Sequence, residues 1–218
     1  MELDPDTLSI DAVYKILSGC VVPRPIAFVS TLSAAGVPNI APYSQFTFAS
    51  IRPPALLFCV GHRPDKSDKD TVVNARTRDE GGTGEFVVNV TIEDYARDVS
   101  IASLDTGAGV SEWDQLSVHP VPSVKIAPCR VAEAPIAFEC RTMQVVMAGS
   151  TAVVIGRVVH MHIRDEVMDE KYRINHAACN LIGRMAGNSY VRIHDRFDVK
   201  VAEDLDQQWR PLQARPYG

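Results

Sequence analysis

The chain has 218 residues, of which 46% are hydrophobic and 22% charged, and its formal net charge is −5 at pH 7. This size and composition predict a single domain over residues 1–218, and its polar C-terminal residues predict a tail over 201–218. The acidic balance argues against a general nucleic-acid binder, which presents a basic face, and no apolar run approaches the ~20 residues that span a bilayer.

The N-terminus and the cysteines indicate the compartment. Residues 1–4 are acidic and lack the basic start and apolar segment of a signal peptide. The five cysteines are odd in number, widely spaced and without the C-x-x-C spacing of redox or metal sites: Cys20, Cys59, Cys129, Cys140 and Cys179. We therefore expect free thiols and a cytoplasmic location.

The first half of the chain holds short predicted strands and two short predicted helices. Ser9 can cap a helix over residues 9–18, and Gly19 can end it. Apolar and β-branched runs predict strands over residues 26–32, 37–48, 55–60 and 85–90. A second helix is predicted over residues 71–78, where Asp70 or Thr71 can serve as its cap.

Two long strands dominate the second half. They are predicted over residues 136–147 and 151–164, and residues 148–150 between them form a tight hairpin signal. Helices are predicted over residues 92–104, 111–114 and 176–182, with extended segments over 121–132 and 190–199. Because strands and helices do not alternate regularly, the pattern favours a mainly β fold, an antiparallel barrel with a few flanking helices.

A charged loop over residues 61–71 is a candidate phosphate site. Arg63 and Lys69 could supply positive charge there, and Thr71 could supply a hydroxyl and a backbone N–H. A loop of this composition is also typical of a solvated surface. The residues alone leave both interpretations open.

Small polar side chains at the ends of apolar strands are a candidate ring site. They are Ser30 and Thr31 at the end of one strand, and Ser44 and Gln45, followed by Phe46, within the next. A flat heteroaromatic ring such as a flavin needs hydrogen bonds along one edge and apolar cover on its faces. Ordinary strand ends would show the same pattern.

Two further patterns carry weaker signals. His160 and His162 share one face of a predicted strand, but no third ligand stands at a metal-site spacing, so we expect packing or surface histidines. The glycine-rich residues 81–84 lack the Lys-Ser/Thr of a phosphate loop and predict a hairpin loop. No hydrolase elbow or His-Glu-x-x-His motif is found.

An ordered series of short motifs resembles the flavin reductase-like, FMN-binding split-barrel family, whose closest branch holds NADH:FMN oxidoreductase-like flavoproteins. The motifs are Pro23-Arg24-Pro25 running on to Ser30-Thr31, then Asn39-Ile40-Ala41-Pro42-Tyr43-Ser44-Gln45-Phe46, Pro53-Pro54, Lys69-Asp70-Thr71 and Glu85-Phe86-Val87-Val88-Asn89-Val90. Gly183-Arg184-Met185 and Tyr190-Val191-Arg192 extend the resemblance, which covers roughly residues 12–200.

The resemblance implies a homodimer of antiparallel split β-barrels of Greek-key type, with one FMN per subunit at or near the interface. It assigns Ser30 and Thr31 to the isoalloxazine ring, Ser44, Gln45 and Phe46 to the ring edge and ribityl chain, and Arg63, Lys69, Asp70 and Thr71 to the phosphate. Arg24, Arg184 and Tyr190 would border the ligand.

The reaction that the resemblance implies is hydride transfer from NADH or NADPH to FMN. Electrons would then pass to free flavin, a partner oxygenase or another acceptor, and no catalytic acid or base on the protein is required, since the flavin carries the chemistry. Two other hypotheses stay open on the residues. One is an FMN-binding electron carrier without nicotinamide oxidoreductase activity, and the other is a barrel that binds no flavin.

Overall fold

The computed structural model describes residues 1–197 and 199, and it contains three α-helices and twelve β-strands in that part of the chain. The helices are α1 (Ile10–Cys20), α2 (Asp70–Ala75) and α3 (Ala96–Ile101). The strands are β1 (Arg24–Pro25), β2 (Ala27–Leu32), β3 (Pro38–Tyr43), β4 (Phe46–Ile51), β5 (Pro54–Gly61), β6 (Glu85–Val90), β7 (Pro120–Val121), β8 (Arg130–Val131), β9 (Ile136–Ala148), β10 (Thr151–Ile163), β11 (Ile182–Arg184) and β12 (Tyr190–Arg192).

Seven strands form one antiparallel sheet in the order β3-β2-β6-β9-β10-β5-β4. The prediction of a mainly β, antiparallel fold with a few flanking helices is therefore confirmed. The hairpin β9–β10 is the longest element, and its register shifts at two places, between Ile155 and Gly156 and between Val158 and His160. A second, smaller sheet has three strands in the order β1-β11-β12.

Strand β2 separates two apolar cores. Ala27 and Val29 belong to a core inside the barrel with Phe58 and Phe86, whereas Phe28 belongs to a second core together with Tyr95, Trp113 and Ile182. Because successive strand residues point to opposite faces, these two cores lie on opposite faces of β2. Both faces are covered at these positions, and this explains why three successive residues of the strand, 27–29, are apolar.

The chain crosses from one edge of the large sheet to the other between β3 and β4. Strand β3 pairs only with β2 at one end of the strand order, and β4 pairs with β5 at the other end. Ser44 and Gln45 form this crossing, and the Gln45 carbonyl accepts a hydrogen bond from Cys59 N at 2.9 Å. The strand predicted over residues 37–48 is therefore two strands, and polar side chains occupy the break.

The helices of the structure differ in length from the predicted ones: α1 is longer, and the later ones are shorter. Helix α1 continues through Gly19 to Cys20, and Ser9 caps it as predicted. The helix expected over residues 92–104 is a 3-10 turn followed by α3, and those expected over 111–114 and 176–182 are single 3-10 turns at Trp113–Gln115 and His176–Ala178. Short runs of this kind lack enough residues for a stable α-helix and depend on tertiary packing.

The structure describes most of the last predicted extended segment and none of the predicted tail. Strand β12 ends at Arg192, so the extended stretch expected over residues 190–199 is shorter than predicted. Residues 198 and 200–218, including the predicted tail, lie outside the described residues. None of the described helices is both long enough and apolar enough to cross a bilayer.

Candidate functional site

Three adjoining cavities form one groove beside the crossing between β3 and β4. Their volumes are ≈ 130, ≈ 240 and ≈ 290 Å³. Pro42 and Ser103 line both the first and the second cavity, and Tyr14 and Ser44 line both the second and the third. We call the three together the groove. It is long and mixed in chemistry, as a ligand with a charged end and a flat end would require.

Arg63 and Lys69 both line the first cavity, but only Arg63 forms ion pairs with described residues. The guanidinium of Arg63 lies 3.0 Å from an Asp70 carboxylate oxygen and 3.8 Å from one of Asp105, and it donates to the Asp68 carbonyl. The ammonium of Lys69 has no hydrogen bond or ion pair with any residue in the described part of the chain. Lys69 is therefore the cation whose charge is left for a ligand.

Thr71 offers a hydrogen-bond donor to the same cavity. It is buried, and its hydroxyl oxygen accepts from Asn39 Nδ2 at 3.0 Å and from the Tyr43 hydroxyl at 2.9 Å. Burial raises the pKa of Tyr43, so this phenol stays protonated and keeps donating. Because both acceptor positions of the Thr71 oxygen are used, its own proton remains for another acceptor.

Glu112 lines the first cavity, and no sequence pattern singled it out. Its carboxylate accepts from Ile40 N at 3.1 Å and from Thr106 Oγ1 at 3.4 Å, and the residue is buried. Burial, opposed by the Ile40 hydrogen bond and aided by the charge of Asp70, raises the pKa of Glu112. A short 3-10 turn beginning at Trp113 holds this carboxyl in place.

The raised pKa of Glu112 predicts a pH-dependent stability. The folded chain binds this proton more tightly than the unfolded chain, so stability falls as pH rises from the ordinary glutamate pKa through the raised one. We expect Glu112→Gln, which keeps an acceptor for Ile40 N, to melt at a higher temperature than wild type at pH 8 and to lose this advantage near pH 4. Thermal melts across pH measure it, with the exposed Glu170→Gln as control. Equal advantage at both pH values would contradict it.

The second and third cavities combine aromatic, basic and apolar side chains. The Arg184 guanidinium lies 4.7 Å from the centre of the Tyr190 ring, and both residues line the second cavity. Tyr14 and Leu17 of α1 line the third cavity beside Gln45. Stacked planar groups with an apolar border match the faces of a flat ring.

Arg24 lines the third cavity, but most of its hydrogen bonds join separate segments of the protein. Its guanidinium donates to the Ser18 carbonyl at 2.6 Å, to Ser44 Oγ at 3.3 Å and to the Met185 carbonyl at 3.1 Å. It also donates to the Val21 carbonyl. Since most of its five N–H groups are engaged, Arg24 positions Ser44 and the end of α1 rather than offering a free charge.

The structure brings nine of the twelve predicted site residues together along the groove. These are Arg24, Ser44, Gln45, Arg63, Lys69, Asp70, Thr71, Arg184 and Tyr190. Ser30 and Thr31 lie elsewhere, buried at 1% exposure. The Ser30 hydroxyl donates to the Cys129 carbonyl, and Thr31 Oγ1 accepts from Asn74 at 3.0 Å. Phe46 packs against the barrel core.

The chain is similar to one known protein family and to several solved structures. Residues 18–181 match the family described as flavin reductase like domain. Nitrilotriacetate monooxygenase component B from Bacillus cereus superposes with a TM-score of 0.85 at 29% identity, over 91% of this chain and 98% of that one. The 2-nitrobenzoate 2-nitroreductase NbaA of Pseudomonas fluorescens gives 0.82 at 30% identity, over 93% and 97%.

A third solved structure confirms the predicted barrel type. The flavin reductase with split barrel domain from Shewanella frigidimarina superposes with a TM-score of 0.78 over 93% of this chain and 100% of that one. At 15% identity this likeness concerns the fold alone. The chain thus has the split-barrel fold, and in it β3 and β4 stand at the two ends of the strand order.

Proposed function

The chain belongs to the flavin reductase like domain family and is an oxidoreductase of that family, and we propose that it binds FMN and reduces it with NADH or NADPH. The observation that carries the proposal is the groove. At one end it has a cation that pairs with none of the described residues and a hydroxyl proton that is left for a ligand. Farther along it has a stacked arginine–tyrosine pair with apolar neighbours.

The donor set of the groove fits the phosphate of FMN. Lys69 supplies a charge that no described residue neutralises, and Thr71 supplies an O–H group fixed by Asn39 and Tyr43. Among the described cations of the first cavity, only Lys69 lacks an ion pair, because Arg63 is held by Asp70. One available cation suits a single phosphate, and this supports FMN over a pyrophosphate-containing dinucleotide.

The remaining residues of the groove would position the ring. Arg184 and Tyr190 form a planar wall, and Pro42 and Tyr14 add apolar surface beside it. Ser44, fixed by Arg24 at 3.3 Å, presents a hydroxyl at the crossing. When bound, the flavin supplies the capacity to accept a hydride and pass electrons on. The protein's part is binding, orientation and exclusion of water.

The test is steady-state oxidation of NADH and of NADPH by the full chain with added FMN, together with FMN and riboflavin binding by fluorescence quenching. We expect turnover with at least one nucleotide and tighter binding of FMN than of riboflavin, which lacks the phosphate. FMN binding with reduction by dithionite but by neither nucleotide would instead identify an electron carrier. Absence of FMN binding would reject both functions.

We propose a homodimer, because α1 and the edge strand β4 leave apolar side chains uncovered. Ile10, Tyr14 and Leu17 on α1 are 90%, 68% and 58% exposed, and α1 has no buried residue. Phe48 and Ile51 on β4 are 69% and 57% exposed. Such apolar surface on a helix and an unpaired strand edge is typical of protein interfaces. A mass of one chain by light scattering at micromolar concentration would contradict this proposal.

The electron acceptor is proposed to be free flavin, an oxygenase component or another electron acceptor. The B. cereus protein that superposes best in the comparison above is named as a component of a monooxygenase, and this supports an oxygenase partner for the present chain. All five cysteines are unpaired in the structure, and this supports a reducing compartment such as the cytoplasm.

A further inference from the structure

A second cluster of chemically active side chains lies on the long hairpin, away from the groove. His160 and His162 are on one face of β10, and Glu139 of β9 is the residue directly across from His160 in the antiparallel register. The two imidazole rings are 4.8 Å apart at their centres, and one ligand atom from each of the three residues lies within 4.8 Å of the others. None of the three lines a cavity of the groove.

Glu139 is a buried carboxylate with an unusual set of partners. Its side chain is fully buried, and its oxygens accept from Val124 N and Lys125 N, each at 2.7 Å. Two backbone N–H groups thus hold this carboxylate in position.

Within the described residues no lysine or arginine pairs with Glu139. Its one side-chain partner is His162, whose Nε2 lies 2.6 Å from Glu139 Oε1. A buried carboxylate without a neutralising cation is costly, so a charge of opposite sign is favoured at this position. A metal ion bound beside the carboxylate would supply that charge.

His160 is the third candidate ligand, and its ring nitrogens have no other partner among the described residues. The residue is half-buried, and its ring makes no hydrogen bond or ion pair with any residue in residues 1–197 or 199. Its packing contact with His162 keeps it beside the Glu139–His162 pair. A half-buried imidazole with an unused nitrogen next to a carboxylate is the donor arrangement of a zinc site.

We propose that Glu139, His160 and His162 bind one Zn²⁺ ion, with water in the fourth position. The ion lies between Nε2 of His162 and Oε1 of Glu139, so His162 binds it as the neutral imidazole with its proton on Nδ1 and Glu139 binds it as the carboxylate. Ligand atoms around tetrahedral zinc stand about 3.3 Å apart. Side-chain movement would therefore open the 2.6 Å contact and draw together the ligand atoms that now lie up to 4.8 Å apart. Both amide hydrogen bonds to Glu139 are kept and orient the ligand.

The donor types select the metal. Two imidazole nitrogens and one carboxylate oxygen suit zinc and its transition-metal neighbours. Calcium and magnesium take six or more oxygen ligands and would find only one carboxylate here. The amides that bind Glu139 belong to Val124 and Lys125, in a loop that packs on the hairpin β9–β10. Zinc bound to Glu139 would stabilise this contact between loop and hairpin. It should therefore raise the melting temperature of the protein.

The experiment is calorimetric titration of the untagged, chelator-treated full chain with Zn²⁺. All proteins carry Cys20→Ser, which removes an exposed thiol. We expect one ion per chain, and affinity reduced by roughly tenfold or more in His160→Ala and in His162→Ala. His119→Ala is the matched control, because His119 forms a 2.7 Å pair with Glu133 but has no third ligand among residues 1–197 and 199. It should bind zinc as the parent does.

Two outcomes would overturn the proposal. One is a parent protein that takes up no zinc in a saturable one-to-one manner. The other is unchanged affinity in both histidine variants, which would locate any bound zinc elsewhere. His160 makes no hydrogen bond with the described residues, so His160→Ala should keep the fold, and circular dichroism checks this. Anomalous diffraction at the zinc edge would then place the ion.

Discussion

Replacing Lys69 with alanine should weaken FMN binding by about 1.5–3 kcal/mol, or roughly 10- to 150-fold in the dissociation constant. The reason is that Lys69 lines the first cavity without an ion pair in the described structure, whereas neighbouring Arg63 is already compensated by Asp70 and Asp105. A charge-assisted hydrogen bond from Lys69 to the phosphate would therefore be made at full strength. Titration of flavin fluorescence measures the change.

Two controls separate a phosphate contact from a general effect. Riboflavin lacks the phosphate, so its affinity should be the same in wild type and in Lys69→Ala. Lys66→Ala removes an equal charge from an exposed position in the same loop that lines none of the three cavities, and it should leave FMN affinity unaltered. A dissociation constant for FMN within twofold of wild type in Lys69→Ala would remove Lys69 from the site.

Local patterns in the sequence were enough to find most of the strands and the charged part of the groove. Arg63, Lys69 and Thr71 stand within nine residues, so a short loop must bring them near one another whatever the rest of the fold does. Ser44 and Gln45 could be selected because polar residues interrupt an apolar run, and the structure shows that this interruption is where the chain crosses between sheet edges. The family resemblance then joined the two pieces into one site.

Contacts between distant segments were beyond local patterns. Ser30 and Thr31 were expected beside a ring, but both are buried and hydrogen-bonded to segments that come later in the chain, Ser30 to Cys129 and Thr31 to Asn74. Period-two alternation within one strand does not reveal such partners. Glu112 reaches the cavity across 72 residues, through its hydrogen bond to Ile40 N. No pattern around it marks that contact.

The histidine pair shows the same limit in another form. His160 and His162 were expected to be packing or surface residues because no third ligand stood at a recognisable spacing. The third donor, Glu139, is 23 residues from His162 and is brought to it by the register of β9 and β10. That register includes a shift between Val158 and His160, which a hairpin signal at residues 148–150 does not predict.

Gly156→Ala should lower the free energy of unfolding by about 3 kcal/mol, the upper part of the range for overpacked cores. A Cβ at Gly156 of β10 would lie 2.6 Å from Cε1 of Phe86, closer still to its Cζ, and 3.2 Å from Cβ of Cys140. Phe86 is fully buried and packs edge-on against Phe58 with ring centres 5.3 Å apart, so its ring has no space to retreat. Urea unfolding without added flavin measures the loss as a lower midpoint at unchanged slope.

Gly61→Ala is the matched control for this substitution. Gly61 also lies in the large sheet, at the end of β5, but a Cβ there would meet no atom within 4 Å, so its effect should stay within about 0.5 kcal/mol. Shortening the clashing ring tests the cause directly. Phe86→Leu destabilises the wild-type core on its own, yet it should cost less in the Gly156→Ala background because it removes the overlap. Additive losses in the double variant would show that the ring of Phe86 is not what makes glycine necessary at position 156.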